Sequence, residues 1–497
     1  MIQPSVLSGE ELALSHCSRC HQFVAPSLLP KSSWKNDVLP AMGHRMGIFK
    51  GVNQPDSLFE SGIGGQIVRK AGIFPSKPTL ARTDWDKIVD YYLSHSPDSI
   101  PPPVRSKPIK MDLKHFRYKK ASFGHQPPLT TMVKILPENR GIVFSDGKSD
   151  GSKLTFLNPD LTKNYSVGMA TSPVHYHERN DTLFLTTAGK TIFPHNAPEG
   201  ALQVVTRQGA KQMFTSAKVA ISNMQRPVFM AYGDLNQDGR EDIVACEYGN
   251  HTGKLVWFEN KGEGNYTMWP LRSKPGAITA SITDTNGDGL NDIVVLMAQG
   301  DEGVFSYENR GNGAFMEKRL LSFSPLNGSQ YMELTDFNED GHDDIIYTCG
   351  DNADQTPILK GYHGVYIFLN DGHYGFDEPA YFYPLNGAYK AIPRDFDLDG
   401  DLDIAVISFF PDYAGNPEES FVYLEHNGGL NFDDYSFPEA TDGRWIVMDA
   451  GDMDGDGDLD LALGSFVYFL AKGDTTGLGK QWLTNGPSVV VLENTVR

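Results

Sequence analysis

A nine-residue pattern, Asp-x-Asn/Asp-x-Asp-Gly-x-x-Asp, occurs five times between residues 234 and 460, and no other feature narrows the possible folds as far. Its polar positions are Asp234, Asn236, Asp238 and Asp242; Asp284, Asn286, Asp288 and Asp292; Asp336, Asn338, Asp340 and Asp344; Asp395, Asp397, Asp399 and Asp403; and Asp452, Asp454, Asp456 and Asp460. Successive copies start 50, 52, 59 and 57 residues apart. A recurring unit of this length marks a fold of stacked equivalent modules. Oxygen-bearing groups at positions 1, 3 and 5, with glycine at 6, form the opening of an EF-hand calcium loop. The ending differs, because position 12, a bidentate Glu in an EF-hand, is Ala245, Val295, Tyr347, Val406 or Leu463 here. An Asp closes the pattern at position 9 instead, and an apolar β-type run such as Ile243-Val-Ala or Ile345-Ile-Tyr follows. The loops should therefore join two strands rather than two helices. The expected calcium ligands are the side chains at positions 1, 3, 5 and 9 and the carbonyl at position 7, which is Arg240, Leu290, His342, Asp401 or Asp458. A polar turn that binds nothing accounts for one such copy. Five copies are better explained by about five calcium ions, since clustered carboxylates repel one another without a cation.

A second period counts the modules. Short strands ending in Asn recur at 153–158, 254–260, 304–309, 365–370, 421–427 and 489–494, with a weaker copy at 201–206. Seven copies predict an all-β propeller of seven four-stranded blades over residues 128–497, the first two without a calcium loop. In place of that loop stands His175-Tyr-His-Glu-Arg-Asn-Asp181. The last strand ends three residues before the chain does, so the final blade lacks its outermost strand. The strand-like stretch around His115–Ala121 is placed to supply it and close the ring.

The first 98 residues read differently. Cys17-Ser18-Arg19-Cys20-His21 has the spacing of a c-type haem attachment site, with two thiols for the haem vinyl groups and a histidine for the iron. A zinc knuckle would need a second Cys/His pair nearby, and Cys246 and Cys349 lie more than two hundred residues away. A redox dithiol would follow a strand in a βαβ unit, which the pattern lacks. Residues 9–16 read as a helix entering the motif. Thr83, as N-cap with Asp86 three positions on, starts a second helix that places Trp85, Ile88, Val89 and Tyr92 on one face. The sixth iron ligand must come from Met42, Met46, His44 or His95, and Met42 and Met46 share one helix face. A methionine there raises the reduction potential relative to histidine.

Residues 99–127 form a Pro-rich, basic linker that includes the candidate closing strand. Residues 128–497 hold 26 Lys/Arg against 53 Asp/Glu, an acidic excess that argues against nucleic acid as partner. No run of eighteen apolar residues exists, so no transmembrane helix is expected. The N-terminus shows neither the basic nor the apolar region of an export signal. Haem attachment of this kind takes place outside the cytoplasm, so a periplasmic or cell-surface location is expected, with the signal removed. Cys246 and Cys349 fall in non-adjacent blades and should be buried free thiols.

Two resemblances sharpen this reading. The helices bracketing the motif resemble class I cytochrome c over about ninety residues. The stretch Trp34…Val38…Met42 is similar to a helix of short bacterial cytochromes, and implies Met42 as the distal ligand. The aspartate-rich loops resemble the FG-GAP/VCBS repeats of integrin-type propellers. Taken whole, the chain resembles bacterial proteins that join an N-terminal cytochrome c to a VCBS propeller. The segments that carry this are the haem motif, Leu28–Lys31 with Trp34 and Val38–Met42, Pro357–Gly364 and the loops at Asp395 and Asp452. The expected function is single-electron transfer by one covalent haem c, with a redox partner, protein or small molecule, and a calcium-stabilised propeller that binds a partner or ligand. One alternative is a haem-linked dehydrogenase whose substrate sits at the propeller mouth near Lys360, His363, Asp351 and Tyr413. Another is a module for carbohydrate or protein adhesion with an accessory haem.

Overall fold

Ser8 starts the first helix of the chain. Its hydroxyl accepts from the Glu11 N–H while the Glu11 carboxylate accepts from the Ser8 N–H, a complete capping box at the head of α1 (Gly9–Cys17). Further on lie α2 (Lys31–Ser33), continued by a wide helical turn into α3 (Leu39–Arg45), then α4 (Ile63–Ala71) and α5 (Arg82–His95). The computed structural model describes residues 2–51, 54–102, 105, 107–148, 151–180, 182–208, 213–351, 358–468 and 476–496. Helices α1 and α5 pack on each other. They approach so closely that a Cβ at Gly9 would lie 2.3 Å from the Lys87 carbonyl oxygen. Leu12, Ala13, Trp34, Leu39, Trp85, Ile88 and Tyr92 form the core between them, each large apolar side chain contributing roughly 1.5–3 kcal/mol by burial. The expected Thr83 cap is not present. α5 begins two residues earlier behind Ala81, with no side chain capping it. Burial of Leu80 and Ala81 sets that start, and Asp84 turns inward to accept from the Ser5 N–H at 2.9 Å.

From residue 130 onward the chain forms seven antiparallel sheets that cover 130–169, 173–224, 227–272, 277–322, 329–384, 388–436 and 445–494. The first strands of neighbouring blades touch all the way round, including the last with the first. The fold is a seven-bladed β-propeller with a small helical region at its N-terminus. Antiparallel order places the loops between first and second strands on one face, and the loops between second and third strands on the other. Among the described residues no helix is long and apolar enough to cross a membrane.

The seventh blade is completed by the N-terminal side of the chain. Phe116–Lys120 pairs antiparallel with Val489–Asn494, with Phe116 opposite Asn494 and Lys120 opposite Val490. Buried Phe116 then packs against Phe396 and Tyr423 of blade six. Two features depart from expectation. Blade six carries a fifth strand, Lys110–Met111, parallel to Phe432–Ser436. Its presence makes the supposed linker part of the sheet edge, and Arg105 in the same segment pairs with buried Glu419. The segment from His175 is not a loop, because Pro173–Arg179 is the inner strand of blade two; Asp181 lies outside the described residues.

Candidate functional site

The five aspartate-rich loops all connect first to second strands, in blades three to seven, and share one face. Within each loop the position-1 Asp gathers backbone N–H groups. Asp284 accepts from Gly287 and Gly289, each at 2.8 Å, and Asp336 accepts from Asp340 at 3.0 Å and Gly341 at 2.8 Å. The position-9 Asp does something the sequence did not reveal. Asp242, Asp292, Asp344, Asp403 and Asp460 are fully buried. One carboxylate oxygen accepts from the position-2 N–H of its own loop, and the other from an N–H at the end of the third strand. In blade five these are Phe337 at 3.0 Å and Asn370 at 2.8 Å; in blade seven, Met453 at 2.8 Å and Asn494 at 2.9 Å. The strand-ending asparagines supply that second N–H in blades three, four, five and seven. Blade six uses His426 instead. The two periods seen in the sequence are thus two halves of one hydrogen-bonded staple. Asn309 and Asn494 extend it across blades, donating from Nδ2 to Leu235 and Phe396 carbonyls in the preceding loops.

Only some loops gather charge as a cation site would. Asp395, Asp397 and Asp399 bring carboxylate oxygens within 4.8 Å of one another, as do Asp452, Asp454 and Asp460. Asp458 is buried, and neither of its carboxylate oxygens has a hydrogen-bond partner. Burial, with Asp456, Asp460 and Asp454 nearby, pushes it up to about 7. Burial likewise raises Asp403 to about 7 and Asp460 to about 6. The loops of blades three to five carry Asn236, Asn286 and Asn338 at position 3, and Asp238 in blade three is held by the Arg240 guanidinium. Leu290 and His342 occupy position 7 of the next two loops, and the His342 N–H donates to Asp340.

On the opposite face sits the helical region. Glu60 accepts from the Asn196 N–H and Nδ2, at 3.0 and 2.9 Å, and buried Asn196 in turn accepts from the His251 and Thr252 N–H groups. Phe74 meets the His251 ring edge-on at 5.1 Å, and Arg45 lies 3.3 Å from His251 Nδ1. Leu326 and Ile358 of the propeller pack against the helical core. The Cys-x-x-Cys-His motif faces the propeller across a cavity of about 350 Å³. Ser18 to Gln22 form one wall; Lys274, Asp301, Glu302, Arg319 and Phe323 form the other. His21 Nδ1 lies 2.7 Å from the Gln22 carbonyl. A donor proton on Nδ1 leaves Nε2 as the free lone pair. Cys17 is partly buried, its thiol pushed up to about 11 by that burial, and Cys20 is exposed; neither is in a disulfide. Met42 and Met46 are both half-buried against the same core cluster as Cys17. His44 stacks near Phe49, and His95 Nδ1 lies 2.9 Å from the Tyr91 carbonyl at the end of α5.

Of the residues expected at a propeller mouth, Asp351 is half-buried and the other three are closed off. Lys360, His363 and Tyr413 are buried, and the Tyr413 hydroxyl donates to the Phe409 carbonyl. Leu129, Phe409 and Phe466, with Ile192, Phe193, Tyr389 and Phe410, pack together on that face. Residues 352–357 and Phe469, in the loops expected to line the mouth, lie outside the described residues. Cys246 and Cys349 are buried free thiols.

Residues 234–295 and 284–347 match the FG-GAP-like repeat family, three of the five loops falling inside the matched spans. The propeller carries FG-GAP-like repeats over residues 234–347. Among curated proteins, this chain is 29% identical over 170 residues to human cartilage acidic protein 1, and 28% identical over 170 residues to the mouse protein. Each match covers 32% of this chain and 24% of the relative, so the chain spans about a quarter of the length of the curated relatives it matches. Among solved structures, the N-terminal domain of Nup159 aligns with 79% of this chain and 99% of its own at 11% identity, with a TM-score of 0.44, too low to carry a functional argument.

Proposed function

We propose that the chain is a c-type cytochrome performing single-electron transfer outside the cytoplasm, with its haem held between the helical region and the FG-GAP propeller. The observation that carries this is the placement of Cys20 and His21 along one wall of a cavity whose other wall is blade four, with Cys17 beside them against the helical core. The fit is chemical as well as spatial. Both thiols are free for thioether formation, and the Gln22 carbonyl orients the His21 ring so that Nε2 is available to iron. Met42 is the proposed distal ligand, with Met46 on the same core as its competitor. When bound, the haem supplies a one-electron redox centre. The protein excludes water with Trp34, Trp85, Tyr92 and the blade-four wall. Lys274 and Arg319, which share Asp301 at 3.0 and 2.7 Å, offer positive charge to anionic ring substituents. Calcium belongs to the same proposal, in the loops of blades six and seven above all, where unpartnered buried carboxylate oxygens converge.

Expression with c-type maturation should give one covalent haem per chain by intact mass and pyridine haemochrome. Replacing Cys17 and Cys20 by Ala should abolish it. Absence of covalent haem while a control cytochrome is matured would overturn the reading. A ligand-binding or adhesion module is the second reading, supported by the FG-GAP repeats alone. It takes over if the thiols stay unmodified.

A further inference from the structure

Behind the blade-four wall lies a group of buried titratable side chains that attachment of a haem does not require. Glu302 lines the cavity yet is only 4% exposed. Its carboxylate accepts from Ser329 Oγ at 2.7 Å and from the Ser329 N–H at 3.1 Å, and Ser329 Oγ lies 2.6 Å from the Tyr347 hydroxyl. Lys360, 1% exposed, and Asp351 act on Glu302 electrostatically from the loop of blade five. Lys274 and Arg319 lie on its cavity side with Asp301 between them, and Arg19, Cys20 and His21 face it across the cavity. Cys349 and Tyr362 complete the surroundings, and His363 is kept neutral by burial beside the Lys360 charge.

We propose that Glu302, wherever it is ionised in the oxidised protein, takes up one proton when the site opposite it accepts an electron. The inference rests on the haem reading above. A one-electron donor adds a unit of negative charge to one wall of the cavity. A carboxylate in the other wall, out of contact with bulk water, feels that charge at low effective dielectric. The Glu302 carboxylate then forms an O–H bond with a proton from solvent, and on reoxidation that bond breaks and the proton returns. The two walls together thereby stay near constant charge through the cycle. Burial pushes the Glu302 carboxyl up to about 8, opposed by the Ser329 bonds and Lys360. Uptake therefore begins above that pH. Below it the acid is already protonated in both redox states, and the reduction potential should be flat. Above it, reduction brings in a proton, and the reduction equilibrium should weaken tenfold per pH unit, about 59 mV.

The test is spectroelectrochemical titration of the matured full chain from pH 6 to 10, on the native protein and on Glu302→Gln, Glu302→Asp and Ser329→Ala. Native protein and Glu302→Asp should show the sloping limb, and Glu302→Gln a flat profile. Ser329→Ala, which removes a bond that favours the carboxylate, should move the onset of the slope to higher pH. Redox-difference infrared spectra should show a protonated carboxyl band that gains intensity on reduction and is missing in Glu302→Gln. Lys360→Gln should keep the slope with a later onset; its loss there would assign the proton to Lys360 and overturn the proposal. So would an unchanged slope in Glu302→Gln, or a flat native profile. Failure to attach haem would be seen first, in the haemochrome assay, and counts against the underlying reading instead.

Discussion

Substitution of Asp344 separates a hydrogen-bonded staple from a metal ligand. The side chain is fully buried and holds two N–H groups, those of Phe337 and Asn370, whose residues are 3% and 6% exposed. In Asp344→Ala both donors lose their only acceptor in a place water does not reach. A buried unsatisfied donor costs about 1–3 kcal/mol, so the pair sums to roughly 4 kcal/mol. Against that stands relief from burying a carboxylate, whose pKa burial raises; this trims the loss without reversing it, because the two N–H groups stay unpaired. About 3–4 kcal/mol is a large share of a typical folding free energy. Asp336, by contrast, sits in the loop itself and accepts from exposed N–H groups that water can satisfy. Asp336→Ala should cost about 1 kcal/mol or less in chelator. Urea unfolding of both variants, with and without calcium, makes the comparison. The staple variant should be strongly destabilised in both conditions. Equal and small losses for the two in chelator would refute the staple argument.

Other outcomes follow from the same geometry. In the oxidised matured protein, a sulfur-to-iron absorption band should vanish in Met42→Ala and survive in Met46→Ala; the reverse would transfer the ligand role to Met46. Chelation should lower the melting temperature of the full chain by mass action, since the loops assemble only in the folded state. Asp458→Asn, which removes an unpartnered buried carboxylate, should shrink that calcium effect in blade seven; an unchanged calcium effect would remove Asp458 from the site. A chain starting at residue 128 should aggregate or unfold earlier than one starting at 105, because it leaves Val489–Asn494 unpaired and empties the Phe116 site; equal melting would mean the closing strand is dispensable. Burial, with Arg45 beside it, lowers His251 to about 4. The undocked form thus binds more protons between pH 4 and 6.5, and docking of the helical region is complete above 6.5 and lost as pH falls toward 4. Limited proteolysis at pH 5 should release helical fragments from the native protein and fewer from His251→Gln.

Repetition made the propeller legible. Each loop and each Asn-ended strand is a local pattern restated at a near-constant interval, and alternation along a strand follows from β geometry alone. The blade number, the loop-bearing blades and the pairing of Phe116–Lys120 with the last strand could all be read from spacing and from one unpaired edge. The role of the position-9 aspartates could not. Asp344 and Asn370 are 26 residues apart, and only the folded blade shows that each completes the hydrogen bonds of the other. The meeting of the helical region with the propeller was more remote still. Glu60 meets Asn196, Arg45 meets His251, and the segment of residues 18–22 faces Glu302 across separations of 136 residues and more, with no period to announce them. Sequence alone marks the residues proposed to bind haem or calcium, because that proposal depends on atoms and their local spacing. The charged wall that confronts them depends on which loops fold to the same face of the ring, and only the tertiary structure decides that.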